Sequence, residues 1–376
     1  MKLVFVNRYF HPDISATSQL LSELALQLAA ENREVHVVTS RQRYDDPSAR
    51  LAREEVVQGV RVHRVWTTHF GRARLAGRAI DYLTFYVSAA WRLDALLRAG
   101  DLAIAKTDPP LISVPASWVA RRRGARLVNW LQDLFPEAAE RLGVRLARGA
   151  LGSLARALRD RSLRAAAMNV VPGERMARAL LERGAVAREH IAVVHNWADG
   201  ELIRPVSHAD NPLRAAWGLS DKFVVGYSGN MGRAHEFATV MDAAESLHGA
   251  QDMVFLFVGG GKHQEWLRNE AGRRGLGEMF QFRAYQPRER LAESLAVADL
   301  HLVTLKPELE GFIVPSKFYG IAAAGRPTLF VGDTEGEIAR VLRAEDCGLS
   351  LRAGDARGLA RAIAELRADG ERRARM

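Results

Sequence analysis

The sequence has very little cysteine: Cys347 is the single one among 376 residues. One cysteine excludes an internal disulfide framework and a cysteine-based zinc site, and it fits a reducing, cytoplasmic setting. No stretch of about 18 uninterrupted apolar residues occurs, so we expect no segment to span a bilayer. Residues 1–6 are followed too soon by polar positions for us to expect a secretory signal.

Several motifs that define enzyme classes are missing as well. The chain has no Walker lysine motif, no Gly-x-Gly-x-x-Gly fingerprint and no Gly-x-Ser-x-Gly nucleophile elbow. Its eleven histidines include no His-Glu-x-x-His pair, so we expect no metal site. These absences argue against a P-loop site, a Ser–His–Asp hydrolase and a zinc-dependent enzyme.

Positive charge, in contrast, is abundant: the formal net charge is +9, and arginine supplies almost all of it. Such a charge attracts nucleic acid, anionic lipid or phosphorylated small molecules. An arginine-for-lysine bias of a GC-rich genome explains it equally well. Residues 144–167 alternate arginine with Leu and Ala at helical spacing, and residues 72–92 are basic and aromatic. Both segments fit helices lying on an anionic membrane, or ordinary domain helices with solvated faces.

Short β-branched runs alternate with amphipathic segments along the chain. Strands are predicted at 3–6, 35–39, 61–66, 102–106, 127–131, 223–228, 253–258, 279–283, 300–305, 328–331 and 348–351. Helices are predicted at 19–30, 80–97, 111–122, 237–247, 264–273 and 288–297. This alternation predicts parallel sheets with right-handed crossovers. The predicted fold class is therefore α/β, with two Rossmann-like doubly wound domains at 1–200 and 222–376 and a linker at 201–221.

The loops with chemically interesting sequences all follow predicted strands. They lie at 7–13, 106–110, 132–137, 229–235, 259–263 and 306–316. Parallel sheets bind ligands at the carboxyl ends of their strands. We therefore expect the two sheets to face each other across a ligand-binding cleft.

The most informative loop is residues 311–320, Gly-Phe-Ile-Val-Pro-Ser-Lys-Phe-Tyr-Gly. The sequence predicts a loop that enters a helix, with Pro315 at the helix start and Ser316 capping the exposed N–H groups. Those N–H groups, the helix dipole and the ammonium of Lys317 would converge on one anion, such as a diphosphate. The alternative is a solvated lysine on an ordinary surface helix.

Three other loops offer candidate binding groups. Gly229 and Gly232 permit a tight turn and a close backbone approach to phosphate, and Arg233 adds a fixed charge. An ordinary βα turn is the alternative there. The glycines at 259–261 are consistent with a nucleotide pocket. Asp133 could bind a sugar hydroxyl or accept a proton, although an N-cap of the following helix is equally consistent.

Six segments, in this chain order, resemble a known enzyme family. They are Arg-Tyr-Phe-His-Pro-Asp at 8–13, Trp-Leu-Gln-Asp-Leu-Phe-Pro-Glu at 130–137, His-Asn-Trp-Ala-Asp at 195–199, Tyr-Ser-Gly-Asn-Met-Gly at 227–232, Val-Gly-Gly-Gly at 258–261 and Val-Pro-Ser-Lys at 314–317. The chain is similar to retaining glycosyltransferases of family 4, which have the two-domain GT-B fold. Within that family it most resembles bacterial exopolysaccharide and colanic-acid-type transferases.

The resemblance implies a nucleotide-sugar donor of the UDP or GDP type, held mainly by the second domain, with neither a metal nor a cofactor. The donor-binding residues it implies are Gly229, Asn230, Arg233, Gly260, Tyr285, Ser316 and Lys317. The catalytic residues it implies are Gln132, Asp133 and Glu310, and the acceptor would enter past His11 and Asp13.

The chain departs from the family pattern at two places. Relatives carry two glutamates with seven residues between them at the lysine loop. Here Glu310 resembles the first, whereas Gly320 occupies the place of the second, which usually holds the ribose. Gln132 stands where many relatives have a histidine that touches the donor sugar.

The sequence therefore predicts a retaining hexosyl- or N-acetylhexosaminyl-transferase of bacterial surface polysaccharide synthesis. Its acceptor would be a saccharide, polyprenyl-linked, and we expect a cytoplasmic protein in peripheral contact with the anionic inner face of the membrane. Two alternatives remain: a GT-B-like nucleotide-sugar epimerase and an arginine-rich nucleic-acid-binding protein. We expect no nucleic-acid partner, because the arginines are not interleaved with an aromatic platform.

Overall fold

The chain folds into two compact units in this computed structural model. The structure describes residues 1–71 and 76–376 in full, and the backbone alone of residue 75. The first unit is Met1–His195 and the second is Asn196–Met376. The first residues of the predicted basic segment, 72–74, lie outside the described residues.

The first unit is built on an eight-stranded sheet. Its strands are β1 (Leu3–Val6), β2 (Val35–Ser40), β3 (Glu54–Val57), β4 (Val60–Val65), β5 (Leu102–Lys106), β6 (Arg126–Trp130), β7 (Met168–Val171) and β8 (Ile191–Val193). Its helices are α1 (Ala16–Ala30), α2 (Leu75–Leu96), α3 (Ser113–Arg123), α4 (Glu137–Arg141), α5 (Gly149–Ala165) and α6 (Glu174–Glu182). The strand order is β3-β4-β2-β1-β5-β6-β7-β8, and every pairing is parallel except β3 with β4.

The second unit has a six-stranded, fully parallel sheet. Its strands are β9 (Phe223–Ser228), β10 (Met253–Val258), β11 (Phe280–Arg283), β12 (Leu300–Thr304), β13 (Thr328–Gly332) and β14 (Gly348–Arg352). Its helices are α7 (Pro212–Ala216), α8 (Ala238–Ser246), α9 (Gln264–Arg273), α10 (Leu291–Ala296), α11 (Lys317–Ala323), α12 (Glu337–Glu345), α13 (Ala356–Ala368) and α14 (Gly370–Arg375). The strand order is β11-β10-β9-β12-β13-β14.

Among the parallel strands of each sheet, the strand order reverses direction once. In the first unit β1 lies between β2 and β5, and in the second β9 lies between β10 and β12. Loops that leave adjacent strands at such a switch point run to opposite faces of the sheet, which leaves a crevice at the carboxyl ends. Strands β2, β10, β12 and β13 are buried at every position, as expected for parallel sheets covered on both faces.

The predicted α/β fold class is confirmed, and each predicted strand is present with ends displaced by no more than one residue. The helix ends differ more. Helix α1 begins at Ala16 rather than residue 19, and no side chain caps its first turn. The segment 288–297 is a 3₁₀ turn at Arg288–Arg290 followed by α10.

Three strands, β3, β7 and β8, were not predicted. Polar residues are the reason for β3 and β7, and β8 is only three residues long. Strand β7 contains the buried Asn169, whose side-chain oxygen accepts a hydrogen bond of 2.8 Å from Asn129 on β6. Buried amides that satisfy each other look like loop residues in a sequence. Strand β3 is an edge strand with Glu54 exposed and runs antiparallel to β4. The region before residue 222 is therefore richer in strands than the sequence suggests.

The predicted linker at 201–221 packs as part of the second unit. Leu213 and Leu219 are buried against Val224 and Val297. Asn211 caps α7 by accepting hydrogen bonds from two backbone N–H groups. The structure divides the chain between residues 195 and 196, upstream of that segment.

Candidate functional site

The loops after β9, β10 and β12 meet at the switch point of the second sheet. The Lys306 N–H donates to the Ala234 carbonyl at 2.9 Å, which joins the loop after β12 to the loop after β9. The Met231 N–H donates to the Gly260 carbonyl at 2.7 Å, which joins the loops after β9 and β10. The sequence predicts a ligand site at this edge of the sheet, and the structure brings three of the predicted loops together there.

The close fit of these loops requires glycine. Gly259 and Gly261 have φ angles of 135° and 141°, which L side chains rarely adopt. A Cβ on Gly259 would lie 2.3 Å from the Gly229 carbonyl oxygen, and one on Gly261 would lie 2.5 Å from Asn230 Oδ1. The glycines therefore allow two loops to pack backbone to backbone.

Lys317 is the cation of this site. Its ammonium lies 3.8 Å from the centroid of the Tyr227 ring, donates to Tyr227 Oη and approaches His235 Nε2 at 3.4 Å. A Cβ on Gly229 would lie 3.4 Å from Lys317 Cε, so the side chain crosses directly over that glycine. Burial holds the pKa of Lys317 well below its usual range. The Lys317 amino group is thus held by two neutral side chains, and an incoming anion would stabilise its charged form.

His235 is held neutral beside Lys317. Its Nδ1 lies 2.6 Å from the Thr304 carbonyl oxygen; a carbonyl only accepts, so Nδ1 carries the proton and Nε2 presents a lone pair to Lys317. Burial, and then the positive charge of Lys317, lowers the pKa of His235 to about 3. Tyr227 completes the group by donating to the Asn230 carbonyl at 2.9 Å.

The remaining predicted donor residues lie around this group. Tyr285 stands over the glycine loop: a Cβ on Gly260 would lie 3.7 Å from Tyr285 Cε2. The Asn230 side chain lies between Gly232 and Gly261, and Arg233 is exposed on the same loop.

The predicted cap by Ser316 is wrong. Ser316 has helical φ and ψ angles of −63° and −21°, and its hydroxyl makes no capping bond to α11. A side-chain cap needs an extended backbone at that position.

Glu310 contacts the first turn of α12. Its Oε1 accepts the backbone N–H of Glu337 at 2.9 Å, and a Cβ on Gly336 would lie 2.5 Å from Oε2. The carboxylate therefore sits at the start of α12, where the helix dipole favours negative charge. Its catalytic role stays a prediction.

In the first unit, Asp133 and Lys106 line one small cavity beyond β5 and β6. Part of the Asp133 side chain reaches solvent. The surrounding protein, and then the negative charge of Asp108, raise the pKa of Asp133 to about 6, whereas the positive charge of Lys106 lowers that pKa. Lys106 is buried with its ammonium 3.1 Å from the Trp130 ring centroid, and burial lowers its pKa well below the usual range. Among the described residues Lys106 Nζ has no hydrogen-bond partner.

The other predicted residues of the first unit are more constrained. Asp133 does not cap the following helix, because α4 starts at Glu137 with Pro136 at its N-cap. The Gln132 backbone N–H donates to Thr107 Oγ1 at 3.2 Å, and its side chain is buried nearby. The Asp13 carboxylate is buried and accepts the Ser15 N–H at 2.8 Å, so it orders its own loop.

Sequence reasoning missed Tyr227, His235 and Lys106 as site residues. Each lies at or just after the carboxyl end of a strand next to a switch point. That position is a usable signal only once the strand order is known. Among the described residues, no three His, Cys, Asp or Glu side chains come close enough to hold a metal ion.

Two family models match the chain in succession. Glycosyl transferase 4-like domain matches residues 16–197, and Glycosyl transferases group 1 matches residues 210–376. The putative colanic acid biosynthesis glycosyl transferase WcaI of Escherichia coli is 27% identical over 354 residues, covering 91% of this chain and 86% of that protein. The probable glycosyltransferase WbjE of Pseudomonas aeruginosa is 28% identical, covering 78% and 72%.

Solved structures share the fold at lower identity. Sucrose-phosphate synthase from Thermosynechococcus elongatus aligns with a TM-score of 0.77 at 18% identity, covering 100% of this chain and 91% of that one. HepE of Anabaena, solved with UDP-glucose, aligns with a TM-score of 0.71 at 17% identity, covering 100% and 92%. These structures confirm the predicted fold class.

Proposed function

Because the chain belongs to the glycosyltransferases, with a 4-like domain followed by a group 1 domain, we propose that it transfers a sugar from a nucleoside-diphosphate sugar to a saccharide acceptor. The observation that carries this proposal is Lys317, an ammonium held by Tyr227 and His235 at the switch point of the second sheet. The epimerase and nucleic-acid alternatives are not carried forward, because both halves match glycosyltransferase domains.

The donor diphosphate would lie on the glycine loops below Lys317. There it would meet the backbone N–H groups around Gly229 and the exposed side chain of Arg233, with the base near Tyr285. HepE was solved in complex with UDP and with UDP-glucose, which supports a uridine-type donor. Gly320 brings no side chain to the ribose, so the backbone would bind that group.

The proposed chemistry retains the configuration at the anomeric carbon and uses no metal. The bond between the anomeric carbon and the diphosphate oxygen breaks while the acceptor oxygen forms its bond on the same face. The acceptor proton passes to the departing phosphate. Lys317 and Arg233 would stabilise the charge that develops on that phosphate. Gln132 and Asp133 would orient the sugar and the acceptor from the first unit.

The proposed acceptor is a polyprenyl-linked saccharide of bacterial polysaccharide synthesis at the inner membrane surface. The name of the Escherichia coli relative, which includes colanic acid biosynthesis, supports the pathway class. The basic helix α5 supports the membrane location. Among the described residues no helix is both long and apolar enough to cross a bilayer.

Calorimetric titration with UDP, GDP and ADP tests the donor site. We expect one of the three to bind, and Lys317→Ala to weaken its affinity about tenfold to a hundredfold, the size of a lost charge-assisted contact. Lys222→Ala is the matched control, since Lys222 lies just before β9 and its ammonium donates to the Gln251 carbonyl. Equal affinity of the Lys317 and Lys222 variants would remove Lys317 from the phosphate site.

A further inference from the structure

Helix α2 exposes apolar side chains where a surface helix normally carries polar ones. Leu83, Val87 and Trp91 are 60%, 72% and 82% exposed, and Ile80 continues the row toward the N-terminus. Residues three or four apart share one side of a helix, so the four form a single stripe. Phe85 is buried on the opposite side, which means that α2 is apolar on two faces.

Neighbouring elements extend this stripe. Trp66 joins Leu83 and Val87 in lining a shallow groove. Helix α2 packs against α3, and α3 packs against α5. Trp118 on α3 and Leu154 on α5 are also exposed. We call the solvent-facing sides of α2, α3 and α5 the helical face.

The helical face carries charge of one sign. In the described part of the chain, no exposed position of these three helices is acidic. Their acidic residues are buried or paired with arginine: Asp81 is buried, Asp94 accepts from Arg123 at 2.8 Å, and Asp160 accepts from Arg159 at 2.6 Å. The exposed charged residues of the face are Arg121, Arg122, Arg161 and Arg164.

We infer that the helical face binds the surface of an anionic bilayer, with the α2 stripe entering the boundary between headgroups and acyl chains. Apolar and cationic side chains without exposed carboxylates complement anionic lipid, and tryptophan favours the interface. From Ile80 to Trp91 the stripe is about 16 Å long at 1.5 Å per residue, so α2 would lie flat. The arginines of α3 and α5 would meet lipid phosphates. The inference rests on the proposed function, because the membrane contact would serve to hold the enzyme beside a lipid-linked acceptor.

Flotation with vesicles tests this surface. The full chain is mixed with vesicles of phosphatidylcholine, or of phosphatidylcholine and phosphatidylglycerol in equal parts. We expect binding to the mixed vesicles, and we expect Val87→Ser/Trp91→Ser to raise the lipid concentration for half-binding at least about tenfold, given the apolar area withdrawn from the bilayer.

The control variant is Val194→Ser/Trp266→Ser, which removes the same two residue types at exposed positions outside the face, 45% and 42% exposed. We expect it to float like the unaltered chain. Equal loss in both variants, or no loss in either, would overturn the inference. A further outcome would also overturn the inference. If light scattering shows that the unaltered chain is a dimer and that Val87→Ser/Trp91→Ser is a monomer, a second copy of the chain covers the stripe. Calorimetric UDP binding of both variants separates this outcome from a failure of the donor site.

Discussion

Each unit places a lysine ammonium against an aromatic ring at the carboxyl end of its sheet. Lys317 lies on Tyr227, and Lys106 lies 3.1 Å from the Trp130 ring centroid. Burial lowers the pKa of both lysines, because withdrawal from water disfavours the charged form. The two differ in surroundings: neutral His235 faces Lys317, whereas the Asp133 carboxyl group favours the charged form of Lys106. Lys317 is thus arranged for an anion and Lys106 is not.

Lys106→Met should stabilise the protein at neutral pH. The folded chain buries the Lys106 amino group without a hydrogen-bond partner among the described residues, and its replacement should raise the free energy of unfolding by about 1–3 kcal/mol. The pKa of Lys106 is lower in the folded state than in the unfolded chain, so between the two pKa values the unfolded chain binds more protons. The stability of the unaltered protein should therefore rise with pH in that window.

Thermal unfolding midpoints of Lys106→Met and of the unaltered chain, measured at about pH 7 and about pH 9.5, test this. The midpoint of Lys106→Met should be the higher, and the difference between the two chains should be smaller at the higher pH. Lys222→Met, at a half-buried lysine whose ammonium donates to the Gln251 carbonyl, is the control and should show no such difference. A Lys106→Met midpoint below that of the unaltered chain at both pH values would contradict the assignment of an unpaired buried cation.

At the scale of elements, the donor site is made by loops whose backbones touch. The loop after β9 and the loop after β10 exchange main-chain hydrogen bonds, such as that from His263 N–H to the Met231 carbonyl at 3.0 Å. Side chains contribute less to this geometry than the positive φ angles of Gly229, Gly259 and Gly261. The switch point decides where these loops meet, and the glycines decide how closely.

Gly259→Ala should disrupt the site and cost about 2–4 kcal/mol of stability, because the new Cβ would lie 2.3 Å from the Gly229 carbonyl oxygen at a φ of 135°. Gly249→Ala is the matched control, since its Cβ would meet nothing within 4 Å. Urea unfolding and calorimetric UDP titration measure the two effects. Normal UDP affinity in Gly259→Ala would show that the two loops do not form the diphosphate site.

At the scale of the whole molecule, the excess of arginine has two separable uses. Many arginines hold the fold: Arg159 makes a buried ion pair with Glu137 at 2.9 Å, and Arg214 pairs with Asp299 at 3.3 Å. Others, such as Arg161 and Arg164, are exposed on α5. Residues 144–167 fitted either a helix on an anionic membrane or an ordinary domain helix. The structure uses Arg159 for internal packing and leaves the exposed arginines of this segment available to a partner.

Reversing exposed charge on α5 should weaken attraction to anionic vesicles. Each arginine near such a surface is worth about 1 kcal/mol, so Arg161→Glu/Arg164→Glu should lower the partition coefficient by more than about tenfold. The control is Arg357→Glu/Arg361→Glu, which makes the same change of net charge on α13 of the second unit. Sedimentation with phosphatidylglycerol-containing vesicles measures both. Equal losses would mean that net charge, rather than the α5 surface, governs binding.

The sequence by itself determined five of the eight strands of the first sheet, all six strands of the second, the glycine loops and the lysine that follows Ser316. Alternation of buried β-branched runs with amphipathic helices is a local signal, and it is readable because parallel strands are covered on both faces. The order of short motifs determined the family resemblance. Polar strands such as β7 stayed hidden, because the hydrogen-bond partners of their buried side chains lie on other elements of the fold.

Only the tertiary structure decided which side chains meet. Lys317 is distant in the chain from Tyr227 and His235, and the order of β9 and β12 in the sheet brings it to them. The same holds for Glu310, whose carboxylate is taken up by the first turn of α12. Contacts between distant segments depend on strand order and loop paths, and local sequence patterns carry neither.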